Sequence, residues 1–410
     1  MTDPVAAQYA AYPYPARDPA DERRRLIVGS PSNLIEVDHY VFGGRRDWRQ
    51  PFRALVAGGG TGDAAIMLAQ QLTDAGTPAE VAHLDLSAPS QDVACARAEA
   101  RGLTNLTFVA GSLLDVATLA PGPYDYIDCC GVLHHLPDPP AGLAALAAVL
   151  APDGGMGLMV YGELGRTGVY HAQEMPRLVA PPGQPDDARL ASAKRLLAGL
   201  PPTNWLKRNP QIRDHLEGGG AGIFDLLLHA EDRAYRVPEL IELIAGAGLR
   251  PTGFIEPLRY DPAAYFEDEA LRDAVSALDP VAGMAFAELL AGNMKTHVCY
   301  AVAADNPVPL PTPEADAVPV LRDMDPAVAA RQLPAGGRVT LKEGGLPFSL
   351  DVPPLTPDIV ALCDGRRSLR EIHAALAQER PSLDWDAFLR QFTALYRVLN
   401  GVNRLLLRAG

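Results

Sequence analysis

At 410 residues, with 36 basic against 50 acidic side chains and a formal net charge of −14, the chain is long enough for two or three domains and a full doubly wound core. That charge disfavours a nucleic acid as the main partner, because such binding needs a concentrated basic surface; the dense basic cluster DERRR (Asp21 to Arg25) reads as a solvated face. Five cysteines without a CxxC pair indicate neither a zinc site nor a disulfide framework, so no metal is expected. The lack of a charged-then-apolar leader and of an apolar run of membrane length makes cytoplasm, without membrane insertion, the expectation.

In chain order, QYAAYPYPARDP (Gln8 to Pro19) comes first, with Tyr9, Tyr12 and Tyr14 interleaved with prolines. Proline fixes φ and disfavours helix before it, so this arm over residues 1–50 is expected to start extended. It reads either as a mobile tail or as a cover over a cleft, with a tyrosine ring against a cationic centre.

FRALVAGGGTGDA (Phe52 to Ala64) is an apolar strand that ends in Gly58, Gly60 and Gly62 and runs directly into a helix. Glycines there let backbone approach a bound nucleoside. Asp85, in the next strand EVAHLDLS (Glu80 to Ser87), stands where a carboxylate bonds both hydroxyls of a ribose. The GxGxG spacing fits S-adenosylmethionine, although the frame Ala57, Gly59, Gly62 imitates a dinucleotide loop, so the loop alone leaves both open.

A helix over Gln91 to Arg101 precedes NLTFVAGSLLDV (Asn105 to Val116), a third strand and turn. YDYIDCCGVLHHLPDP (Tyr124 to Pro139) then reads as a fourth strand carrying Asp128, Cys129 and Cys130 at its carboxyl end. Ligands of open α/β sheets sit outside such strand ends, so three of them converge on one crevice. The cysteines read as buried structural residues. His134 and His135 point in different directions on any regular backbone, which favours shaping of the site over a shared metal.

These motifs resemble the class I S-adenosylmethionine-dependent methyltransferases. VAGGGTGD (Val56 to Asp63), HLDLS (His83 to Ser87), VAGSLLDV (Val109 to Val116) and DYIDCCGVLHHLPDP (Asp125 to Pro139) match the family's first four motifs, and LAPDGGMGLMVYG (Leu150 to Gly162) its turn into the fifth strand. The resemblance implies a Rossmann-like seven-stranded α/β sheet and a bacterial transferase. It places Gly58, Gly60 and Gly62 on the cofactor, Asp85 and Leu86 at the ribose, Ser112 and Leu113 at the adenine, and Asp128 at the methionine amine or the acceptor. Two departures, Val56 where many members have an acid and Ser112 where many have an aspartate, leave fewer carboxylates near the cofactor, with Asp85, Asp115 and Asp128 remaining.

Beyond Tyr161 an insertion over 163–234 interrupts the sheet before the helix YRVPELIELIAGAGL (Tyr235 to Leu249). Strands RPTGFIEP and THVCYAVAAD flank a second, helical insertion over 258–295, which completes a methyltransferase domain over 51–305. Insertions at these positions form a lid that selects the substrate. Candidate acceptor-pocket groups are Tyr12, Tyr14, Tyr161, Tyr170, His171, His229, Asp232 and Arg233, and candidate catalytic groups are Asp128, Tyr161 and His134. A proline-rich linker over 306–320 leads to a winged-helix-like module over 321–410, expected to mediate protein contacts or a homodimer.

A looser similarity, carried by YPYP (Tyr12 to Pro15) and DRAYRVPEL (Asp232 to Leu240), is to bacterial outer-membrane-protein lysine methyltransferases. It implies methyl transfer to a protein lysine. A small-molecule acceptor and a cofactor-sensing regulator without catalysis stay open beside it, and an oxidoreductase stands further off.

Overall fold

The computed structural model describes residues 13–410, so Tyr9 and Tyr12 lie outside the described residues. One mixed sheet holds β1 (Phe52–Ala57), β2 (Ala79–Asp85), β3 (Leu106–Ala110), β4 (Tyr124–Cys130), β5 (Leu150–Tyr161), β6 (Leu249–Phe254) and β7 (Thr296–Ala303). Their order is β3-β2-β1-β4-β5-β7-β6, with β7 antiparallel to both neighbours. Strands β1 to β5 are parallel, and β1 sits between β2 and β4.

Period-two alternation sends neighbouring side chains of one strand into two cores. Leu55, Leu84, Ile127 and Leu158 pack on one face against Leu143 of α4 (Pro139–Ala147) and Leu240 of α10 (Val237–Gly246). Ala54, Val56, Val81 and Tyr126 pack on the other, against Val37 of α1 (Leu34–Phe42) and Leu68 of α2 (Asp63–Asp74). Helix α3 (Ala88–Arg101) ends where Gly102 takes a left-handed φ of 68°.

Between β5 and α10 the chain builds α5 (Val169–Val179), α6 (Asp186–Ala198), α7 (Trp205–Arg208), α8 (Asp214–Glu217) and α9 (Gly219–Leu227) around their own apolar cluster. Helices α11 (Glu269–Ser276) and α12 (Pro280–Ala291) lie between β6 and β7. The glycine run at 218–222, which reads as a loop, instead opens α9. The C-terminal module pairs β8 (Val318–Leu321) with β11 (Leu405–Arg408). It adds a hairpin of β9 (Gly337–Glu343) and β10 (Leu346–Val352), and four helices: α13 (Pro326–Gln332), α14 (Thr356–Leu362), α15 (Leu369–Glu379) and α16 (Trp385–Gly401).

A buried carboxylate fastens that module to the sheet. Glu36 of α1 is fully buried, accepts hydrogen bonds from Ser30 Oγ (2.8 Å), Tyr300 Oη (2.7 Å) and Asn403 Nδ2 (2.9 Å), and pairs with Arg322. One side chain thus joins the N-terminal segment, β7 and the module. Burial pushes its carboxyl above the ordinary range, and Arg322 opposes that.

Arg322→Met is therefore expected to cost about 3 kcal/mol at neutral pH by stranding Glu36 without its counter-charge. A raised folded-state pKa means that the folded chain holds the proton where the unfolded chain has released it. Stability falls as pH rises through that window, so the variant's deficit is smaller at an acidic than at a mildly alkaline pH. Urea unfolding at both pH values checks this; an equal deficit at the two contradicts it.

Candidate active site

The chain leaves β1 toward β2 and leaves β4 toward β5, so a crevice opens between the two strand ends, as expected at a topological switch point. A cavity of about 440 Å³ occupies it. Its walls are the turn after β1, the ends of β2, β3, β4 and β5, the N-terminal arm and the insertion helices α8 and α9.

The glycine turn is held by its own packing. Gly58 and Gly60 have φ of 70° and 52°. A Cβ at Gly58 would lie 2.4 Å from Val132, and one at Gly59 would lie 2.4 Å from the His83 ring. Close approach to protein, as much as to ligand, therefore excludes side chains here. Gly62, expected on the cofactor, lies outside the lining: with φ 97° it caps α2, and a Cβ there would strike Ala94 of α3 at 2.8 Å.

Asp85 ends β2 and faces the turn. Its Oδ2 accepts the Gly60 amide (2.7 Å) and its Oδ1 the Ser87 amide (2.7 Å), leaving each oxygen a second lone pair toward the cavity. Leu86, Gly111, Ser112 and Leu113 continue this wall. The Ser112 Oγ accepts the Leu114 amide at 3.2 Å and so caps its own turn, while Asp115 is exposed and outside the lining. On β4, Asp128 is buried, accepts Ser32 Oγ at 2.6 Å and is pushed up to about 6 by burial. Cys130 lines the cavity beside it, whereas Cys129 points into the opposite core.

The N-terminal arm crosses this end. Tyr14 and Pro15 line the cavity, and Thr61 Oγ1 donates to the Pro15 carbonyl at 2.8 Å. Arg17 grips both oxygens of Asp63, Asp63 also accepts from Arg97 (2.7 Å), and buried Arg97 pairs with buried Glu22 (2.6 Å).

Past β5, Tyr161 lines the cavity with its ring between two groups. The Arg166 guanidinium carbon lies 3.6 Å from the ring centre and the His134 ring 3.8 Å away, distances that place them on opposite faces. The Tyr161 hydroxyl donates to Asp225 Oδ2 at 3.4 Å. Arg166 pairs with buried Asp232 (3.2 Å), which also accepts from Gln173 (2.7 Å).

Several sequence expectations are redirected. His134 lies behind Tyr161, outside the lining, fully buried, with both ring nitrogens unpartnered among the described residues. Its neighbour His135 faces the cavity instead, because the one-turn helix Leu133–His135 rotates successive side chains apart. Tyr170, His171, His229, Asp232 and Arg233 lie outside the lining, with His229 stacked on His135 and Asp232 paired with Arg166. Asp214 of α8 and Asp225 of α9 line the cavity and escaped the sequence reading. An acid set inside the apolar stretch GIFDLLL was the available signal for Asp225.

One His and carboxylate group, His135, Asp225 and His229, brings potential ligand atoms within 4.8 Å of one another. The two imidazole rings stack at 3.8 Å and 20°, so their in-plane lone pairs run side by side rather than converging on one ion.

Comparison with known proteins agrees with this geometry. A methyltransferase-domain family model matches residues 55–156. An uncharacterized protein of Synechococcus sp. is 34% identical over 287 residues, covering 68% of this chain and 66% of that protein. The tRNA 5-carboxymethoxyuridine methyltransferase of Escherichia coli K12 is 38% identical over 113 residues, or 27% of this chain and 41% of that protein. The chain thus spans just under two thirds of the first relative and less than half of the second. PKMT2 from Rickettsia typhi shares the fold with a TM-score of 0.63 at 15% identity, over 91% of this chain and 75% of that one. Its complex with AdoHcy gives 0.60 at 16% identity, over 100% and 77%.

Residues 55–156 thus match the methyltransferase-domain family, within a fold shared with PKMT2.

The cavity suits S-adenosylmethionine chemically. Asp85 offers two acceptor oxygens to vicinal hydroxyls, and Asp128 is a buried carboxylate available to a cation. Leu84, Leu86 and Leu113 supply apolar surface for a flat ring.

Asp85→Ala removes two carboxylate oxygens from the cavity wall and also two amide bonds that shape the turn. It is expected to weaken S-adenosylmethionine binding by about 1.5 to 3 kcal/mol, roughly 10- to 100-fold, measured by calorimetric titration. Asp85→Ala binding as well as wild type contradicts the placement of the ribose.

Proposed function

We infer that the protein is an S-adenosylmethionine-dependent methyltransferase and that it transfers methyl to a lysine side-chain nitrogen of a protein. The supporting observation is the character of the cavity beyond the cofactor wall: Tyr14, Tyr161, Asp214 and Asp225 meet there. Two carboxylates and two aromatic rings attract an alkylammonium, by charge and by cation–π contact. Arg166, the buried cation of that wall, is already paired with Asp232. The formal net charge of −14 speaks against RNA as acceptor, and the relative that acts on tRNA matches only the segment carrying the cofactor motifs.

When bound, S-adenosylmethionine supplies an electrophilic methyl on a sulfonium. Asp85 would hold its ribose, Leu86, Ser112 and Leu113 its adenine, and Asp128 its amine, whose positive charge favours the ionised carboxylate. The remaining work belongs to the acceptor end. Asp214 and Asp225 draw the ammonium in, while the tyrosine walls and the arm exclude water and lower the cost of shedding its proton. Holding the neutral amine in line with the methyl supplies much of the acceleration through proximity.

Incubation of the enzyme with labelled S-adenosylmethionine and bacterial extract tests this reading. Label is expected in the protein fraction and, after hydrolysis, in methyl-lysine; label in RNA or in low-mass material overturns it, as does binding without transfer. Asp225→Asn, which keeps the shape and removes the charge, is expected to lower kcat/KM for the acceptor by roughly 10- to 100-fold, with cofactor affinity little changed.

A further inference from the structure

The backbone of a single residue sets two neighbouring histidines in opposite tautomers. The Glu231 carbonyl lies 2.8 Å from His135 Nδ1, and a carbonyl can only accept, so that nitrogen carries the hydrogen. The Glu231 amide donates to His229 Nδ1 at 3.1 Å, so the His229 hydrogen sits on Nε2. His135 therefore presents a bare Nε2 lone pair. Its ring is buried yet lines the cavity, edge-on to Tyr161 at 5.5 Å.

A ring nitrogen of His135 and a carboxylate oxygen of Asp225 lie within 4.8 Å of each other. Two N–H bonds of one amine, set at the tetrahedral angle with about 2.9 Å to each acceptor, span acceptors about 4.7 Å apart. That limit admits one nitrogen shared between the two groups. Burial holds His135 down to about 4, so the ring stays neutral and keeps its lone pair across the physiological range.

We propose that His135 Nε2 and Asp225 form the subsite for the acceptor nitrogen, accepting its N–H bonds and so directing its own lone pair toward the methyl. His135 is then the specificity-determining contact for an amine: a hydroxyl has one hydrogen and fills half of the pair. The bond between His135 Nδ1 and the Glu231 carbonyl positions the ring and locks its tautomer. This subsite rests on the lysine reading above.

The test pairs two substitutions. His135→Asn keeps an amide donor near the Glu231 carbonyl and removes the distal acceptor; His135→Gln places an amide oxygen near the lost Nε2. Methyl transfer is followed against increasing protein fraction of bacterial extract, alongside calorimetric titration with S-adenosylmethionine and thermal melts. Expected for His135→Asn is a loss of about 10-fold or more in transfer at limiting acceptor, with cofactor affinity within about 2-fold of wild type. His135→Gln is expected to regain most of the rate. Wild-type transfer to lysine with undiminished transfer by His135→Asn overturns the subsite alone. Equal loss in both variants, with lowered melting temperature or cofactor affinity, overturns it in favour of a structural role. Activity abolished by a chelator and restored by zinc overturns it in favour of a metal at His135, Asp225 and His229. A wild type that methylates no lysine overturns the underlying reading, and this subsite with it.

Discussion

The site exists because parallel strands cannot turn back directly: each needs a crossover, and the crossovers beside β1 and β4 depart in opposite directions. The gap left between them is filled by no side chain of the sheet. The groups with chemistry in the cavity are placed relative to that gap, by a strand that ends there, by the turn that follows it, by the N-terminal arm or by an insertion folded back over it.

Charge is distributed around the gap with a clear division of labour. Three arginines near the cavity are committed to buried or half-buried partners, Arg166 to Asp232, Arg97 to Glu22 and Asp63, and Arg17 to Asp63, while the exposed Lys295 also lines the cavity. Such pairs gain little net stability once desolvation is counted, but they impose geometry, since either member alone is costly to bury. Here the geometry imposed is closure. The Arg17 and Arg97 pairs converge on the first residue of the helix after the glycine turn, so the arm that carries Tyr14 is tied to the same loop that lines the cavity. The carboxylates with spare acceptor capacity, Asp85 among them, face the cavity.

Most of the sheet was legible in the sequence because its signals are local. Buried parallel strands read as apolar runs, and each is punctuated by glycine, an acid or proline within a few residues. The expected helix over Tyr235 to Leu249 is α10 at Val237–Gly246, trimmed at one end by Pro238 and at the other by β6. The glycine run before Phe224 misled, because α9 buries Ile223, Phe224, Leu226 and Leu227 and that packing outweighs poor helix propensity. Gly62 misled in another way: its identity is required by Ala94 on a different helix, which no spacing rule contains.

What the sequence determined by itself was the framework and its ligand class, since strand ends, turn glycines and Asp85 lie within one stretch whose spacing is fixed by covalent geometry. The far end of the cavity was decided by tertiary structure alone. Asp214, Asp225, His135 and Tyr14 come from an inserted helix pair, a one-turn helix and the N-terminal arm, up to about two hundred residues apart, and a cavity wall made of such parts has no periodicity to read. The choice between His134 and His135 was equally out of reach. Adjacent side chains diverge on any backbone, and which of them meets the cavity depends on where Tyr161 and Glu231 pack.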